Sequence, residues 1–229
     1  MQDISTRLKV IRVRISTAAH GAGRDPCEVG LVAVSKTQPA ESVRQAFDAG
    51  QMVFGESRAQ ELVAKVPLLP SSTRWHFIGH LQRNKIRKVL PLAELIHAVD
   101  SVDLALDIDR VAAELGLFPR VLLEVNISGE QTKFGFRPDL VRREAGRLLS
   151  LPRVQVEGLM TIAPAAERAE DARPFFAELR TLRDEIAAAS NARLPTLSMG
   201  MSDDFVTAIE EGATLVRVGT AIFGARPKL

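Results

Sequence analysis

The sequence contains no tyrosine, one tryptophan and one cysteine among its 229 residues. Because Cys27 has no second cysteine to pair with, an internal disulfide is excluded, and a reducing cytoplasm is the expected compartment. The opening residues lack the apolar stretch of a signal peptide, and no run of about 18 apolar residues occurs in the chain. We therefore expect a cytoplasmic protein with no membrane span.

The net charge is small, since 30 Lys and Arg against 28 Asp and Glu leave +2. This near-balance argues against binding of nucleic acid through bulk charge. Four histidines and one cysteine argue against a zinc site. A hydrophobic fraction of 46% is ordinary for a globular protein, and a chain of this length suits one α/β barrel, so residues 1–229 are predicted to form a single domain.

Short apolar runs alternate with longer amphipathic stretches along the chain. An amphipathic helix is predicted first, over 3–19, because Ile4, Leu8, Ile11 and Ile15 recur at three- and four-residue spacings. Eight strand-like runs follow, at 31–34, 52–54, 74–78, 95–99, 120–125, 154–159, 196–199 and 214–218. The helix-like stretches between them include 40–49, 57–66, 101–115, 139–150, 167–189 and 203–211.

This alternation indicates an α/β fold with a parallel sheet and right-handed crossovers. Eight such units in about 200 residues predict a single (β/α)8 TIM barrel with an extra N-terminal helix. An open doubly wound sheet is the second choice, and it is disfavoured because no G-x-G-x-x-G follows the first predicted strand. In a barrel, functional groups are expected at the carboxyl ends of the strands.

Lys36 ends the apolar run LVAVS, and alternation from Val32 and Val34 directs its side chain toward the barrel interior. Loss of water around a lysine lowers its pKa toward that of a usable amine nucleophile. Such a lysine suits Schiff-base formation with an aldehyde. The competing interpretation is a strand-end lysine that reaches into solvent.

Arg217 interrupts the strand-like run TLVRVG and shares a face with Leu215. A guanidinium cannot lose its charge, so a buried arginine needs acceptors. In a closed barrel the last strand pairs with the first, which brings Arg217 near Lys36. The competing interpretation is a structural salt bridge to a neighbouring carboxylate.

Two candidate phosphate cradles follow the last two predicted strands. Ser202 is a plausible N-cap, and Gly219 and Thr220 follow the eighth strand. Loops at these places form the recurrent phosphate site of TIM barrels. Each cradle alone is ordinary, but a lysine, an arginine and a phosphate site together match the aldehyde, ring nitrogen and phosphate of pyridoxal 5'-phosphate (PLP).

Six segments carry a resemblance to a known family. They are VAVSKTQP, FGESRAQEL, WHFIGHLQRNK, EVNISGEQTKFGF, VEGLMTIAP and LSMGMSDDFVTAIEEGATLVRVGTAIFGAR. Over nearly its whole length the chain resembles the pyridoxal phosphate homeostasis proteins, also called the YggS or PLPBP type. The resemblance implies a barrel like the N-terminal domain of alanine racemase, a role in vitamin B6 homeostasis and no clear enzymatic turnover.

The resemblance also implies residue roles. Lys36 would hold PLP as an internal aldimine, and Arg217 would face the pyridine nitrogen. Ser57 stands where the family usually has asparagine, and His80 where it usually has proline. Ser202, Gly219 and Thr220 would contact the phosphate, together with the backbone of Met201. The predicted cofactor-binding set is Lys36, Ser57, His76, Met201, Ser202, Arg217, Gly219 and Thr220.

Three hypotheses for function remain open. An arginine at the ring nitrogen keeps that nitrogen unprotonated and makes it a poor electron sink, and related racemases use a tyrosine that this chain lacks. The favoured hypothesis is therefore a monomeric, non-catalytic PLP buffer or carrier that serves PLP-dependent apo-enzymes. The alternative is a weak racemase-like amino-acid enzyme with His76, Lys133 or water as base. The third is an interaction protein that uses the basic segment 83–88.

Overall fold

The computed structural model describes residues 3–165 and 167–224. Eight parallel strands in these residues close into a barrel in chain order, and the last strand pairs with the first. They are β1 Gly30–Val34, β2 Val53–Glu56, β3 Arg74–Phe77, β4 Leu95–Val99, β5 Arg120–Glu124, β6 Gln155–Met160, β7 Thr196–Ser198 and β8 Leu215–Val218. The predicted barrel with its N-terminal helix is confirmed, and each predicted strand overlaps an observed one.

Helices surround the barrel. They are α1 Ile4–Gly21, α2 Ala40–Asp48, α3 Ala59–Lys65, α4 Ile86–Val89, α5 Val102–Leu115, α6 Pro138–Leu149, α7 Arg173–Ser190, α8 Phe205–Glu210 and α9 Thr220–Phe223. Short 3-10 turns occur at Pro26–Glu28, Val66–Leu68, Arg83–Lys85 and Ala169–Ala172. None of the helices in the described ranges has the length and apolar character needed to cross a bilayer.

The boundaries of α7 differ from the prediction of a helix over 167–189. The helix begins only at Arg173, because a 3-10 turn precedes it and Pro174 occupies its first turn, where a missing N–H costs nothing. It ends at Ser190, since Asn191 adopts a left-handed conformation with φ of 50°. Proline and asparagine thus set the two ends of this helix.

The N-terminal helix α1 packs on the helices next to the last and first strands of the barrel. Asp3 caps it by accepting a hydrogen bond from the Thr6 N–H at 2.6 Å, and its buried face packs against α2, α8 and α9. Arg24 adds two hydrogen bonds of 2.8 and 2.9 Å to the carbonyls of Ile209 and Ala213. These contacts hold the segments next to β8, which carries Arg217, and the helix that follows β1 and Lys36.

The barrel interior is more polar than the branched aliphatic filling typical of TIM barrels. A small apolar cluster of Leu95, Ala98, Leu122 and Met160 lies apart from the large core between sheet and helices. The strands also bury polar side chains with 7% exposure or less, namely Glu56, His76, His97, Glu124, Ser198 and Arg217. Burial of so many polar groups requires hydrogen-bond partners, and these partners define the site below.

Candidate functional site

A cavity of about 420 Å³ opens at the carboxyl ends of the strands. Seven of the eight predicted site residues line it: Lys36, Ser57, Met201, Ser202, Arg217, Gly219 and Thr220. They come from the loops after β1, β2, β7 and β8, together with the interior of β8. The barrel therefore gathers side chains that are up to 184 positions apart in sequence because all parallel strands end at one rim.

His76 is not part of this cavity. It lies on β3 and lines another cavity, of about 540 Å³, at the amino-terminal ends of the strands together with Glu94, Arg120 and Thr196. His76 was included in the predicted cofactor-binding set, but the height of a residue along the barrel axis depends on how the strands are staggered. The structure thus does not bring His76 together with Lys36.

Lys36 is half-buried and sits between two anchored neighbours. The Ser35 carbonyl accepts a hydrogen bond from Lys65 Nζ at 2.8 Å, and the Thr37 N–H donates to Glu61 Oε2 at 2.7 Å. Thr37 has φ of 65°, a left-handed conformation that is uncommon for a β-branched residue. The flanking bonds hold this turn and with it the position of Lys36.

The anchors of this turn form one ionic cluster. Lys65 Nζ lies 2.7 Å from Glu56 Oε1 and 3.1 Å from Glu61 Oε2, and Ser35 Oγ donates to the same Glu56 oxygen at 2.7 Å. Burial raises the pKa of Glu56, and the bonds from Lys65 and Ser35 oppose that rise. Burial also works against the charge of Glu61, but the Thr37 N–H and Lys65 outweigh it and lower its pKa.

Arg217 is 5% exposed and has neutral acceptors. Its Nη1 donates to Ser198 Oγ at 2.6 Å, and its Nη2 donates to the Thr161 carbonyl at 2.9 Å. Burial lowers its pKa to about 10, while the fields of Glu124 and Asp204 oppose that change, so it is charged at neutral pH. Within the described ranges no carboxylate forms a salt bridge with Arg217, so the structural ion pair considered above is not what holds it.

The two predicted phosphate cradles meet through Ser202. Its Oγ accepts from Thr220 Oγ1 at 3.1 Å and from the Ala221 N–H at 3.5 Å, which joins the loop after β7 to the start of α9. The prediction that Ser202 is an N-cap is wrong, because α8 begins at Phe205 after Asp204. The Met201 N–H donates to Asp204 Oδ1 at 2.5 Å, so that backbone group already has an acceptor.

Ser57 reaches the cavity because the loops after β2 and β3 approach closely. A Cβ placed on Gly79 would lie 2.3 Å from the Ser57 carbonyl oxygen, so only glycine permits this approach. Ser57 and Gly79 both line the cavity wall. The position at which the resemblance implies asparagine in the family is therefore part of the cavity wall.

Sequence reasoning missed Glu124, the last residue of β5. It is 7% exposed and lines the cavity, and burial with the nearby Asp100 charge raises its pKa to about 7, against the fields of Arg217 and His80. A charged residue inside the apolar run RVLLEV was the available signal.

His80 was also left without a role by sequence reasoning. Its Nδ1 lies 2.7 Å from Asp100 Oδ2, and its ring stacks on Phe134 with centroids 4.0 Å apart and an angle of 14°. Both rings line the cavity mouth. The carboxylate and the aromatic ring together orient the imidazole at the entrance.

The closed barrel has the fold of one known domain, the N-terminal domain of alanine racemase. The family model of the alanine racemase N-terminal domain matches residues 8–227 of this chain. Alanine racemase of Clostridium difficile 630 has the same fold, with a TM-score of 0.77 at 15% identity over 99% of this chain and 57% of that chain.

The curated relatives narrow this class. The pyridoxal phosphate homeostasis protein of Aquifex aeolicus is 45% identical over 96% of this chain and 97% of its own length, and that of Escherichia coli K12 is 43% identical over 99% and 98%. PipY of Synechococcus elongatus PCC7942, solved with PLP bound, has a TM-score of 0.86 at 41% identity over 97% of this chain and all of its own. The chain belongs to the pyridoxal phosphate homeostasis protein family.

Proposed function

We propose that this protein binds PLP covalently through Lys36 and acts in the cytoplasm as a PLP buffer or carrier without catalysis of its own. The observation that carries this proposal is the shared cavity of Lys36 and a buried, charged Arg217 that has no carboxylate partner within the described part of the chain. The names of the curated relatives and the PLP-bound relative PipY support it.

The donor set of the cavity fits PLP. When bound, PLP supplies an aldehyde that condenses with a primary amine and releases water. Lys36 offers that amine at the rim, and Arg217 offers N–H donors to an unprotonated ring nitrogen at the floor. The hydroxyls of Ser202 and Thr220 with the backbone at Gly219 offer contacts to a phosphate, and about 420 Å³ is ample for a ligand of this size.

The covalent attachment is tested by absorption and mass spectrometry. We expect purified protein mixed with PLP to show an imine absorption band that borohydride removes, and peptide mapping to find the reduced adduct on Lys36. Lys36→Ala should lose the band, while Lys88→Ala, at an exposed lysine, should keep it. An adduct on another lysine in the unsubstituted protein would overturn the site assignment.

The carrier role is tested by transfer kinetics. The loaded protein is mixed with a PLP-dependent apo-enzyme, and recovery of activity is compared with recovery from the same concentration of unbound PLP. A rate that rises with carrier concentration above the limit set by spontaneous release supports direct delivery. A rate equal to spontaneous release at every concentration leaves buffering and removes delivery. Sedimentation of the same samples tests the predicted monomer.

A second candidate function, a weak PLP-dependent amino-acid enzyme, is favoured by one observation. Glu124 lines the cavity with a pKa of about 7, which suits a group that exchanges protons near neutral pH. His76 is a poor candidate for the base, since it lines the cavity at the opposite end of the barrel. Loss of the amino-acid α-proton into deuterated water, abolished by both Lys36→Ala and Glu124→Gln, would support this function over the carrier.

A further inference from the structure

Four buried polar side chains form a hydrogen-bonded row across the barrel interior. Arg217 Nη1 donates to Ser198 Oγ at 2.6 Å, and Ser198 Oγ lies 2.9 Å from His97 Nδ1. His97 Nε2 then lies 2.9 Å from His76 Nδ1. Each of the four residues is 5% exposed or less, so the row connects the floor of the candidate site to the opposite cavity without solvent contact along the way.

The directions of the hydrogen bonds in this row follow from the arginine, which only donates, and from the buried Ser198 hydroxyl proton, which needs an acceptor. A guanidinium only donates, so Ser198 Oγ must accept from it. The proton of the Ser198 hydroxyl then has His97 Nδ1 as its one hydrogen-bonding acceptor in the described ranges. His97 must therefore carry its own proton on Nε2 and donate it to His76 Nδ1. His76 in turn carries its proton on Nε2.

Both imidazoles are neutral, as this arrangement requires. Burial lowers the pKa of His97 well below its ordinary value, and the charges of His76 and Arg217 act in the same direction. Burial lowers the pKa of His76 to about 4, with Arg74 and Arg120 adding to the effect and Glu94 opposing it. A neutral imidazole has one donor and one acceptor nitrogen, so each ring passes the hydrogen bond on in one direction.

We propose that Ser198 and His97 are positioning residues for Arg217, and that this one-way row replaces the carboxylate that would ordinarily hold a buried arginine. A carboxylate would neutralise the guanidinium, whereas a hydroxyl and a carbonyl orient it and leave its charge for a ligand acceptor in the cavity. The role of Arg217 toward PLP rests on the proposed function, but the direction of the row and the orientation of Arg217 do not.

The direction is tested on the full chain without added PLP. Nitrogen-15 NMR of the histidine rings distinguishes the two neutral tautomers, and comparison with His97→Gln and His76→Gln assigns the signals. We expect His97 and His76 both to be protonated on Nε2 at pH 7. A His97 ring protonated on Nδ1, or a charged ring at either position, would overturn the proposal whether or not the protein binds PLP.

The positioning role is tested with Ser198→Ala. We expect the side-chain N–H groups of Arg217 to exchange with solvent at least about tenfold faster in this variant, since one of two restraining bonds is lost. Affinity for PLP should fall about tenfold, and the absorption maximum of the bound cofactor should move. His97→Phe should change both readouts in the same direction but less, because His97 acts through Ser198.

A matched control separates positioning from general loss of a buried hydroxyl. Thr73 is 9% exposed, and its Oγ1 has no hydrogen-bond partner in the described ranges, so Thr73→Val removes a hydroxyl outside the row. We expect Thr73→Val to leave the Arg217 exchange rate and the cofactor spectrum unchanged. Unchanged Arg217 exchange in Ser198→Ala refutes the positioning role. Weak PLP binding in the unsubstituted protein would instead count against the proposed function alone.

Discussion

Two buried cations support different parts of the candidate site and are held in different ways. Lys65, behind the Lys36 turn, contacts the carboxylates of Glu56 and Glu61. Arg217, at the floor, contacts the hydroxyl of Ser198 and a backbone carbonyl. A cation paired with carboxylates is neutralised, and its role is to stabilise the local structure. A cation held by neutral dipoles keeps its charge for a ligand, so the difference in partners distinguishes scaffold from site.

The same contrast divides the buried glutamates. Glu56 accepts hydrogen bonds from Lys65 and Ser35, whereas the carboxyl of Glu124 faces the cavity. Burial raises the pKa of both, opposed at Glu56 by the bonds from Lys65 and Ser35, and it raises the pKa of Glu124 to about 7. The cavity therefore contains a carboxyl group, Glu124, that changes its charge around neutral pH.

The largest expected effect comes from breaking the ion pairs of Lys65 with Glu56 and Glu61. Lys65→Met leaves Glu56 buried without its cation, which typically costs about 3–5 kcal/mol of unfolding free energy. Denaturant unfolding measures this loss, with Lys88→Met at an exposed lysine as control. Adding Glu56→Gln to Lys65→Met should recover part of the stability, because the uncompensated charge is removed. A loss below about 1 kcal/mol in Lys65→Met would show that the Lys65–Glu56 ion pair does not stabilise the fold.

The next effect is the contribution of Glu124 to the pH dependence of the unfolding free energy. Because the pKa of Glu124 is about 7 in the folded protein and near its ordinary value of 4.5 in the unfolded chain, the folded state binds more protons between these values. The contribution of Glu124 to stability is therefore present at low pH and is lost as the pH rises through about 7. The decline amounts to at most about 3 kcal/mol.

Glu124→Gln should flatten this part of the stability profile in the cofactor-free protein. Denaturant unfolding at intervals from acid to slightly alkaline pH measures it, and Glu178→Gln, at an exposed glutamate, is the control. Identical slopes for Glu124→Gln and the unsubstituted protein would mean that Glu124 ionises like an exposed carboxylate.

A smaller effect is expected from Arg217→Lys. Lysine keeps the charge but cannot present two N–H donors in the fixed geometry that reaches both Ser198 and Thr161. PLP affinity should weaken about tenfold, or about 1.4 kcal/mol, as measured by absorption titration. Arg137→Lys on the surface should leave the affinity unchanged. An unaltered affinity in Arg217→Lys would mean that charge alone, without orientation, suffices.

The smallest effect is expected from Ser57→Asn, which introduces the amide that the family resemblance implies at this position. Ser57 is half-buried in the cavity wall and belongs neither to the ionic cluster around Lys65 nor to the hydrogen-bonded row that holds Arg217. We therefore expect PLP affinity to change less than about threefold. Unfolding free energy should change by less than about 0.5 kcal/mol. A tenfold gain in affinity would instead make this position a determinant of cofactor binding.

Much of the fold and part of the site could be predicted from local patterns. Strands and helices have different hydrophobic periods, so their alternation could be recognised in the sequence. It predicted the barrel and the rim at which Lys36 and Ser202 lie. Helix ends were less predictable because the 3-10 turn before α7 depends on its surroundings. Glu124 was missed even though a carboxylate in an apolar run was visible, since its pKa depends on what surrounds it.

The amino-acid sequence by itself determined which side chains point into the barrel, because side chains alternate along a strand with a period of two. Only the tertiary structure decided how high each of them lies and which groups it meets. Strand stagger placed His76 at the far end of the barrel and linked it through His97 to Arg217. Packing of α3 against β2 brought Lys65 to the carboxylate of Glu56, whereas Arg217 on β8 meets a hydroxyl and a carbonyl. The row from His76 to Arg217 joins residues on different strands, and the Lys65–Glu56 pair joins a helix to a strand, so no local pattern contains them.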